Sequence, residues 1–536
     1  MTSPSRSSAA RTPVTADSTS ARLAAAPPFV SILFVDDGRD AAPAELDELF
    51  SDLNLDQILA ALTTGREGYR LEEFFRAPLT DRRAIAYRHA VVRDLERPAV
   101  REPVAAFAQA MSLMRKHETQ VENLHYAHEK HGWILDAAQI YCEAVSKLAS
   151  DLTGLDLQSP GMLGLRAFLT AYAASDAFVA LAEEIHGLKA ALAEVRYSLL
   201  IRGPRVTVGR FGHEPDYTIE VEETFARFRM HAAESHLATL TPHPGMDHVE
   251  AWIVERVARL FPEVFEPLAR FCKRQDDVVD PTVGRFDREV QFYLAYLGMT
   301  GSLGGSGLQF CLPDVRDDAT GMTAEQTFDL ALALKLMGTD ERVVVNDVQL
   351  TPPERIIVVS GPNNGGKTTF ARTLGQLHYL AGLGLPVPGR RVGLELPDRV
   401  FSHFEREERI ETLRGKLEDE LVRIHAILEQ ASRRSVIIMN ESFNSTTLDD
   451  ARVLGTRVIE RITALGAVTV YVTFIDELAS LNDATASMVS TIEPDNPATR
   501  TFKILRRPAD GLAYAAAIAE KYRLTFDHLS RRIPPP

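Results

Sequence analysis

The sequence predicts a two-part chain: a mainly α-helical region followed by an α/β domain with a largely parallel sheet. Three observations carry that reading. From about residue 40 to 300 the apolar side chains recur at helical spacing. Beyond about residue 340, short apolar runs alternate with helical stretches, the rhythm of strands joined by crossover helices. The 536 residues are also enough for more than one domain, at roughly 100–200 residues each.

Composition narrows the class. Hydrophobic residues at 45% and charged residues at 25% match soluble globular chains and exclude a mostly disordered or collagen-like one. No window approaches the roughly 18 uninterrupted apolar residues of a membrane span, and the most apolar early stretch, 29–35, is strand-sized. No membrane association is expected. Cys142, Cys272 and Cys311 lie too far apart for a disulfide framework or a paired-Cys zinc site, which points to a reducing, cytoplasmic setting. A net charge of −15 argues against a histone-like coat for nucleic acid and leaves room for a local basic patch.

Residues 1–28 are Ser, Ala, Thr, Arg and Pro with almost no large apolar side chains, so a disordered tail is expected. Their Arg-rich, acid-poor make-up leaves an organelle transit peptide as the alternative. The helical region is assigned to 29–320. One candidate helix opens at 53–59, and a second runs from Ile85 to Leu95. A long one runs through Met162, Leu165, Phe168, Leu169 and Tyr172 towards Val195. Another runs from Val249 through Ile253 and Val257 to Leu260, where Pro262 is placed to end or kink it. All four stripes read as helix–helix core packing. Strand formers around a Gly-Pro turn at 196–210, and a period-two run at 216–222, predict a small β-hairpin insertion near 196–222. Its first half carries Arg196, Arg202, Arg205 and Arg210, and its second half is acidic. It is either a solvated hairpin with cross-strand ion pairs or a phosphate-contacting tip. The glycine-rich stretch 301–307 reads as a flexible joint, and the α/β domain is assigned to 321–536.

Two motifs in that domain carry chemistry. A buried-strand run, 355–360, flows into Gly361, Pro362, Asn363, Asn364, Gly365, Gly366, Lys367, Thr368 and Thr369, which fits the Walker A pattern G-x-x-x-x-G-K-[ST]. Glycines let backbone N–H groups curl around phosphate oxygens, and the following helix N-terminus adds donors and partial positive charge. Lys367 neutralises β- and γ-phosphate charge, and the Thr368 hydroxyl can ligate Mg²⁺. The pattern thus predicts ATP with Mg²⁺. About seventy residues later, the apolar strand 435–439 ends in Asn440 and Glu441, as a Walker B strand does. Glu441 is the candidate general base. Asn440 stands where an Asp is usual and can reach Mg²⁺ through a metal-bound water, without a charge.

Gly361 to Thr369 resembles the phosphate loop of the MutS mismatch-repair ATPases, typically GPNMGGKST. Further stretches are similar to that family. Residues 384–388 match its Gly-x-x-Val-Pro turn, 442–451 its polar run after Walker B, and 472–478 the end of its next strand. Residues 510–519 match its final helix and, more weakly, 71–79 the start of its helical core. The resemblance implies an ABC-type P-loop NTPase domain preceded by a helical lever/core domain. It also implies a head-to-head homodimer with ATP between the P-loop domains, and DNA held by the levers.

Three departures stand out. The chain before residue 50 has no mismatch-reading wedge of the Gly-x-Phe-Tyr-Glu kind. Phe474 stands in place of the family's switch His. The Ser/Thr-rich signature, which acts on the partner's nucleotide, reads here as 413–421, with Gly415 or Lys416 left to offer a donor. The expected function is that of an ATP-dependent DNA-binding protein of the mismatch-repair or recombination type, with slow hydrolysis. The alternative is a nucleotide-switched assembly ATPase acting on a protein partner without DNA binding.

Overall fold

The computed structural model describes residues 29–35, 47–212, 245–274, 278–316, 321–406, 415–493 and 496–509, with 528 and 530. The expected tail, the acidic run 216–222 and the final helix 510–519 lie outside these described residues.

The first half is helical. After α1 (Asp47–Asp52) and α2 (Leu55–Thr63), a short α3 (Glu72–Phe75) leads into α4 (Arg82–Glu96). Asp81 caps α4 by accepting from the Arg83 amide, and Ile85, Arg88, His89, Val92 and Leu95 form its buried stripe. The helices α5 (Pro98–Asn123) and α6 (Ala127–Leu152) form a long pair, each about 39 Å at 1.5 Å per residue. The long helix expected from Met162 to Val195 is instead two, α7 (Pro160–Ala173) and α8 (Asp176–Ala193), bent by 60°. The reason is Ser175, whose hydroxyl accepts from the Phe178 amide and starts a new helix. The hairpin is shorter than expected: both strands, β1 (Tyr197–Arg202) and β2 (Arg205–Arg210), lie in the Arg-bearing half, antiparallel with Arg202 opposite Arg205, because the chain already reverses at Gly203-Pro204. Pro262 ends α9 (His248–Leu260) and opens α10 (Pro262–Cys272).

The central helix of this half is α11 (Pro281–Gly304), which buries Val283, Phe286, Val290, Phe292, Tyr293 and Tyr296. It corrects the expectation of a flexible joint at 301–307. Residues 301–304 are its last turn, because Leu303, 1% exposed, is anchored in the core. The segment 29–35 is stapled to this helix, with Glu289 accepting from the Ser31 hydroxyl (2.8 Å) and the Ile32 amide (2.9 Å).

The second half is mixed. In chain order it contains β3 (Phe310–Cys311), β4 (Asp314–Arg316), β5 (Met322–Thr327), α12 (Leu330–Leu336), β6 (Asn346–Leu350) and β7 (Ile356–Ser360). Then come α13 (Lys367–Gly382), β8 (Val387–Pro388), β9 (Arg391–Glu395), β10 (Val400–Phe404) and α14 (Lys416–Gln430). It continues with β11 (Val436–Asn440), α15 (Leu448–Leu465), β12 (Val468–Val472), β13 (Thr485–Glu493) and β14 (Asn496–Arg506). The main sheet has the order β10-β11-β12-β7-β13-β14, parallel except for β14. A smaller sheet, β4-β9-β5-β6, and the pair β3-β8 flank it.

Alternate residues of the main strands serve two cores, as the period-two geometry of a strand requires. Ile357, Val359, Ile438 and Val470 join the core that continues into the helical half, while Ile356, Val358, Ile437, Met439 and Tyr471 face α15. Among the described residues no single helix is long and apolar enough to cross a membrane.

Between the helices and the sheet lies α13, buried at every position from Thr373 to Gly382. Its polar groups reach across. Gln376 donates to the Leu53 carbonyl and the Asp329 carboxylate (both 2.9 Å) and accepts from the Leu330 amide (2.8 Å). Arg372 donates to the Asp52 carbonyl and the Tyr379 hydroxyl to that of Phe75 (both 2.8 Å). Gln376→Leu leaves these groups unpaired in the interior, and the expected loss is about 2 kcal/mol or more, since each orphaned buried polar group costs about 1–3 kcal/mol. Urea unfolding of the purified variant against wild type measures it.

Candidate active site

The C-terminal ends of β7 and β11 and the first turn of α13 meet at one cleft. The loop after β7 is pressed against Ser490 of β13. A Cβ on Gly361 would sit 2.9 Å from the Ser490 carbonyl oxygen, and one on Gly365 2.0 Å from its hydroxyl. Gly361 and Gly366 have φ of +108° and +87°, and Asn364 also has a left-handed φ. The glycines are therefore dictated by close approach and backbone sign together. Gly366 is the N-cap of α13, so the helix's unpaired N–H groups open into the cleft.

Lys367 begins the helix and turns back over the loop. Its ammonium donates to the carbonyls of Gly361 (2.9 Å) and Pro362 (3.2 Å) and to Asn363 Oδ1 (3.1 Å). Burial pushes its pKa down, the Arg500 charge adds to that, and Glu441 and Asp476 oppose it. The next residue, Thr368, donates its hydroxyl to Asn440 Oδ1 at 2.9 Å, joining positions 72 apart in sequence. The Thr369 carbonyl takes the Thr373 hydroxyl, and its side chain lines the cleft. Glu441 lines it as well, with a left-handed φ of 54° and its amide donating to the Val472 carbonyl.

A neutral carbonyl oxygen and a hydroxyl next to one carboxylate are hard oxygen donors and fit Mg²⁺, which keeps most of its shell as water and substrate phosphate. Among the described residues no group of three or more His, Cys, Asp or Glu is gathered around a cation position. The chemistry of the donors therefore fits a metal carried in with a polyphosphate.

The cleft measures about 690 Å³ and extends past the loop to an apolar wall with Leu332, Leu336 and Val343. Its other side is Phe502, 48% exposed, whose ring lies against Gly366 and whose carbonyl accepts from the Asn346 side chain. Arg500 donates to the Asn363 carbonyl at 3.1 Å. Neither Phe502 nor Arg500 was legible in sequence, where they are two residues of an ordinary edge strand.

A third unforeseen residue is Glu420 on α14. Its carboxylate accepts from the Phe443 amide (3.1 Å) and the Ser445 hydroxyl (3.4 Å), and His403 Nε2 stands 3.6 Å away. Burial pushes this carboxyl up, but His403 and the Phe443 amide outweigh burial and hold it below the usual range. Glu420 thus fixes the chain just past Glu441, where Phe443 also has a left-handed φ. The only sequence signal was its place within 413–421. Of the signature candidates there, Gly415 caps α14 with open space around it, and Lys416 donates to Glu405 of its own chain (2.5 Å). Phe474 is half exposed on the loop after β12.

Comparison with known proteins gives these elements a lineage. Residues 357–520 match the sequence profile of MutS domain V. The DNA mismatch repair protein MutS of Granulibacter bethesdensis is 31% identical over 173 residues, 32% of this chain and 19% of its own length. That of Zymomonas mobilis is 35% identical over 132 residues, 25% of this chain and 15% of its own length. That of Streptococcus pneumoniae is 29% identical over 206 residues, 38% and 24% of the two chains. The matched stretch is thus less than a quarter of each relative. The profile match, residues 357–520, contains the glycine loop and the Asn440-Glu441 strand end, and over that stretch the chain is similar to MutS domain V.

Proposed function

We propose that this protein is an ATP-dependent DNA-binding protein of the MutS type, an ABC-type P-loop ATPase that switches a dimeric clamp. The observation that carries the reading is the meeting of Lys367, the Thr368–Asn440 pair and Glu441 at the mouth of one glycine loop. The triphosphate lies over the loop, where the backbone N–H groups and the helix N-terminus receive it. Lys367 leaves the loop's own carbonyls for the β- and γ-phosphates. Thr368 and Asn440, the latter through water, would hold Mg²⁺, which when bound neutralises phosphate charge. Glu441 orients the attacking water and takes its proton. The Phe502 ring and the apolar wall opposite suit a purine base.

The switch is mechanical. Any shift of the loop moves α13, and α13 is bonded to Asp52, Leu53 and Phe75 in the helical half. The homodimer is proposed by likeness to the family, with the N-terminus of α14 facing the partner's nucleotide. DNA contact is assigned to the hairpin, where Arg202 and Arg205 face each other at the tip, exposed and without an acidic partner among the described residues. One observation favours the second reading, an assembly ATPase acting on a protein: Leu200 and Ile201 beside them are also exposed, Ile201 by 68%.

Band-shift titration with duplex, mismatched and branched DNA, with and without ATP, decides between the readings. Loss of binding to every DNA in all nucleotide states leaves the assembly role. If the hairpin touches phosphates, Arg202→Ala with Arg205→Ala weakens binding to all sequences alike and lowers the salt slope by about 0.9 per contact.

Hydrolysis is expected to be slow, because Asn440 lacks the charge that favours the cation. Asn440→Asp should raise turnover by about tenfold, the equivalent of 1.4 kcal/mol at the transition state, and Glu441→Gln should nearly stop it while sparing ATP binding. Steady-state rates across a Mg²⁺ titration measure both. No gain for Asn440→Asp at any Mg²⁺ concentration overturns the charge-deficit account.

Glu420→Ala releases the chain past Glu441, and turnover should fall about tenfold or more, since a charge-assisted hydrogen bond is worth about 1.5–3 kcal/mol. ATP affinity should change little. Glu420→Gln keeps an acceptor for the Phe443 amide and should restore most of the rate, a rescue that separates positioning from loss of fold.

A further inference from the structure

The strand β10 lies at the edge of the main sheet and serves two layers. Val400 and Phe404 belong to the core that continues into the helical half, and Ser402 on the same side donates its hydroxyl to Asp52 of α1 at 2.8 Å. Phe401 and His403 face the other way, towards α14. The layer on that side is apolar, built of Phe401, Ile424, Ile437, Met439 and Phe443. His403 stands in it beside Met439, its partner across the β10–β11 ladder.

A histidine there needs a reason. Its side chain is fully buried, and neither ring nitrogen has a hydrogen-bond partner among the described residues. Buried polar nitrogens are nearly always paired, and an unpaired one in an apolar layer is costly. Burial pushes the His403 pKa down, Glu420 opposes that, and the Arg423 charge adds to the drop. The ring is therefore neutral near pH 7 and has one N–H to give.

The acceptor within reach is Glu420, whose Oε1 lies 3.6 Å from His403 Nε2. Hydrogen bonds form at about 2.7–3.2 Å, so an approach of roughly half an ångström completes this one. Glu420 and Ile424 are the buried residues of α14, one turn apart and both turned to the sheet. The same Oε1 already accepts from the Phe443 amide at 3.1 Å, and a carboxylate oxygen has room for a second donor. The bond on Oε2, from Ser445, is long at 3.4 Å. The carboxylate that holds the turn after Glu441 is thus itself loosely held, with an unused donor beside it.

We propose that His403 is a positioning residue for Glu441 that acts through Glu420: as α14 settles towards the sheet, His403 Nε2 donates to Glu420 Oε1 and locks the carboxylate where it holds the Phe443 amide. The assignment rests on the ATPase reading, in which Glu441 orients the attacking water. It also gives β10 a part in the switch. Ser402 binds Asp52, whose carbonyl accepts from Arg372 of α13, and the next residue, His403, meets α14. The helix that begins with Lys367 and the turn that carries Glu441 therefore take their positions from adjacent residues of one edge strand.

Steady-state ATP hydrolysis and thermal unfolding of the full-length variants test it. Phe fills the place of the ring in an apolar layer, so His403→Phe should unfold no lower than wild type. Its kcat should fall about tenfold, the rate equivalent of one charge-assisted hydrogen bond, while KM for ATP changes little. His403→Gln keeps an N–H donor and should restore most of kcat. Added to Glu420→Ala, His403→Phe should cost nothing further, because both act along one line. The proposal is overturned by an unchanged kcat in His403→Phe, by a loss that Gln does not rescue, or by losses that multiply with Glu420→Ala. Absence of hydrolysis in wild type removes the ATPase reading and this assignment together. Hydrolysis that His403→Phe leaves untouched removes this assignment alone.

Discussion

The burial of one helix organises the molecule. From Thr373 to Gly382 every residue of α13 is buried, although the stretch includes Gln376, His378 and Thr373. A helix enclosed on all sides must satisfy its polar side chains from its neighbours, and those neighbours belong to both halves of the chain. Gln376 takes its partners from Leu53, Asp329 and Leu330, and Tyr379 from Phe75. Close packing sharpens the constraint. A Cβ on Gly375 would stand 2.8 Å from the Leu53 side chain and 3.3 Å from Ile438, so α13, the helical half and the sheet touch at that point. Helical half and sheet are therefore one packing unit around the helix that begins with Lys367.

The same logic extends to the chain's outer parts. Beyond α13, the turn at Gly384 lies against Arg88, which is fully buried. Its Nε donates to the Leu33 carbonyl (3.0 Å) and its Nη1 to that of Leu383 (2.8 Å). The guanidinium lies over the rings of Phe34 and Phe292, each 5.4 Å away. One side chain thus ties the segment 29–35, α4, α11 and the exit of α13 together.

Much of this was legible in sequence where local chemistry decides the outcome. The helical first half, the change to alternating strands and helices, the hairpin at Gly203-Pro204 and the role of Pro262 all follow from periodicity and turn residues. The structure departs from the sequence reading where a single residue overrides the pattern around it. The stretch 301–307 looks flexible by its glycines, but Leu303 holds its first half in helix. The stripe from Met162 to Val195 looks continuous, but Ser175 caps a second helix inside it. At the site, the contiguous Gly361–Thr369 and the strand end at Asn440 could be read directly. Glu420, Arg500 and Phe502 could not, because their meaning lies in partners at 443, 363 and 366 across the fold.

The strand end at 440–443 shows how the site's chemistry is held in place. Glu441 and Phe443 both have left-handed backbones, a conformation that costs a non-glycine residue on the order of 1 kcal/mol or more. The kink persists because it is anchored on both sides, by the Glu441 amide on Val472 and by the Phe443 amide on Glu420. Glu420 lies only four residues into α14 from Lys416, on the helix whose N-terminus the family resemblance turns towards a partner's nucleotide. On that reading one rigid turn of helix connects what a partner would touch with the carboxylate that would act on this chain's own water. A displacement of α14 by the partner would then be felt first at Phe443 and, through the strained turn, at Glu441. Asn440 fits the same scheme. Its carbonyl already accepts the Thr368 hydroxyl, so the loop and the strand end are pinned without a charge. Lys367 and Arg500 are thereby left with one less competing anion than a Walker B Asp would supply.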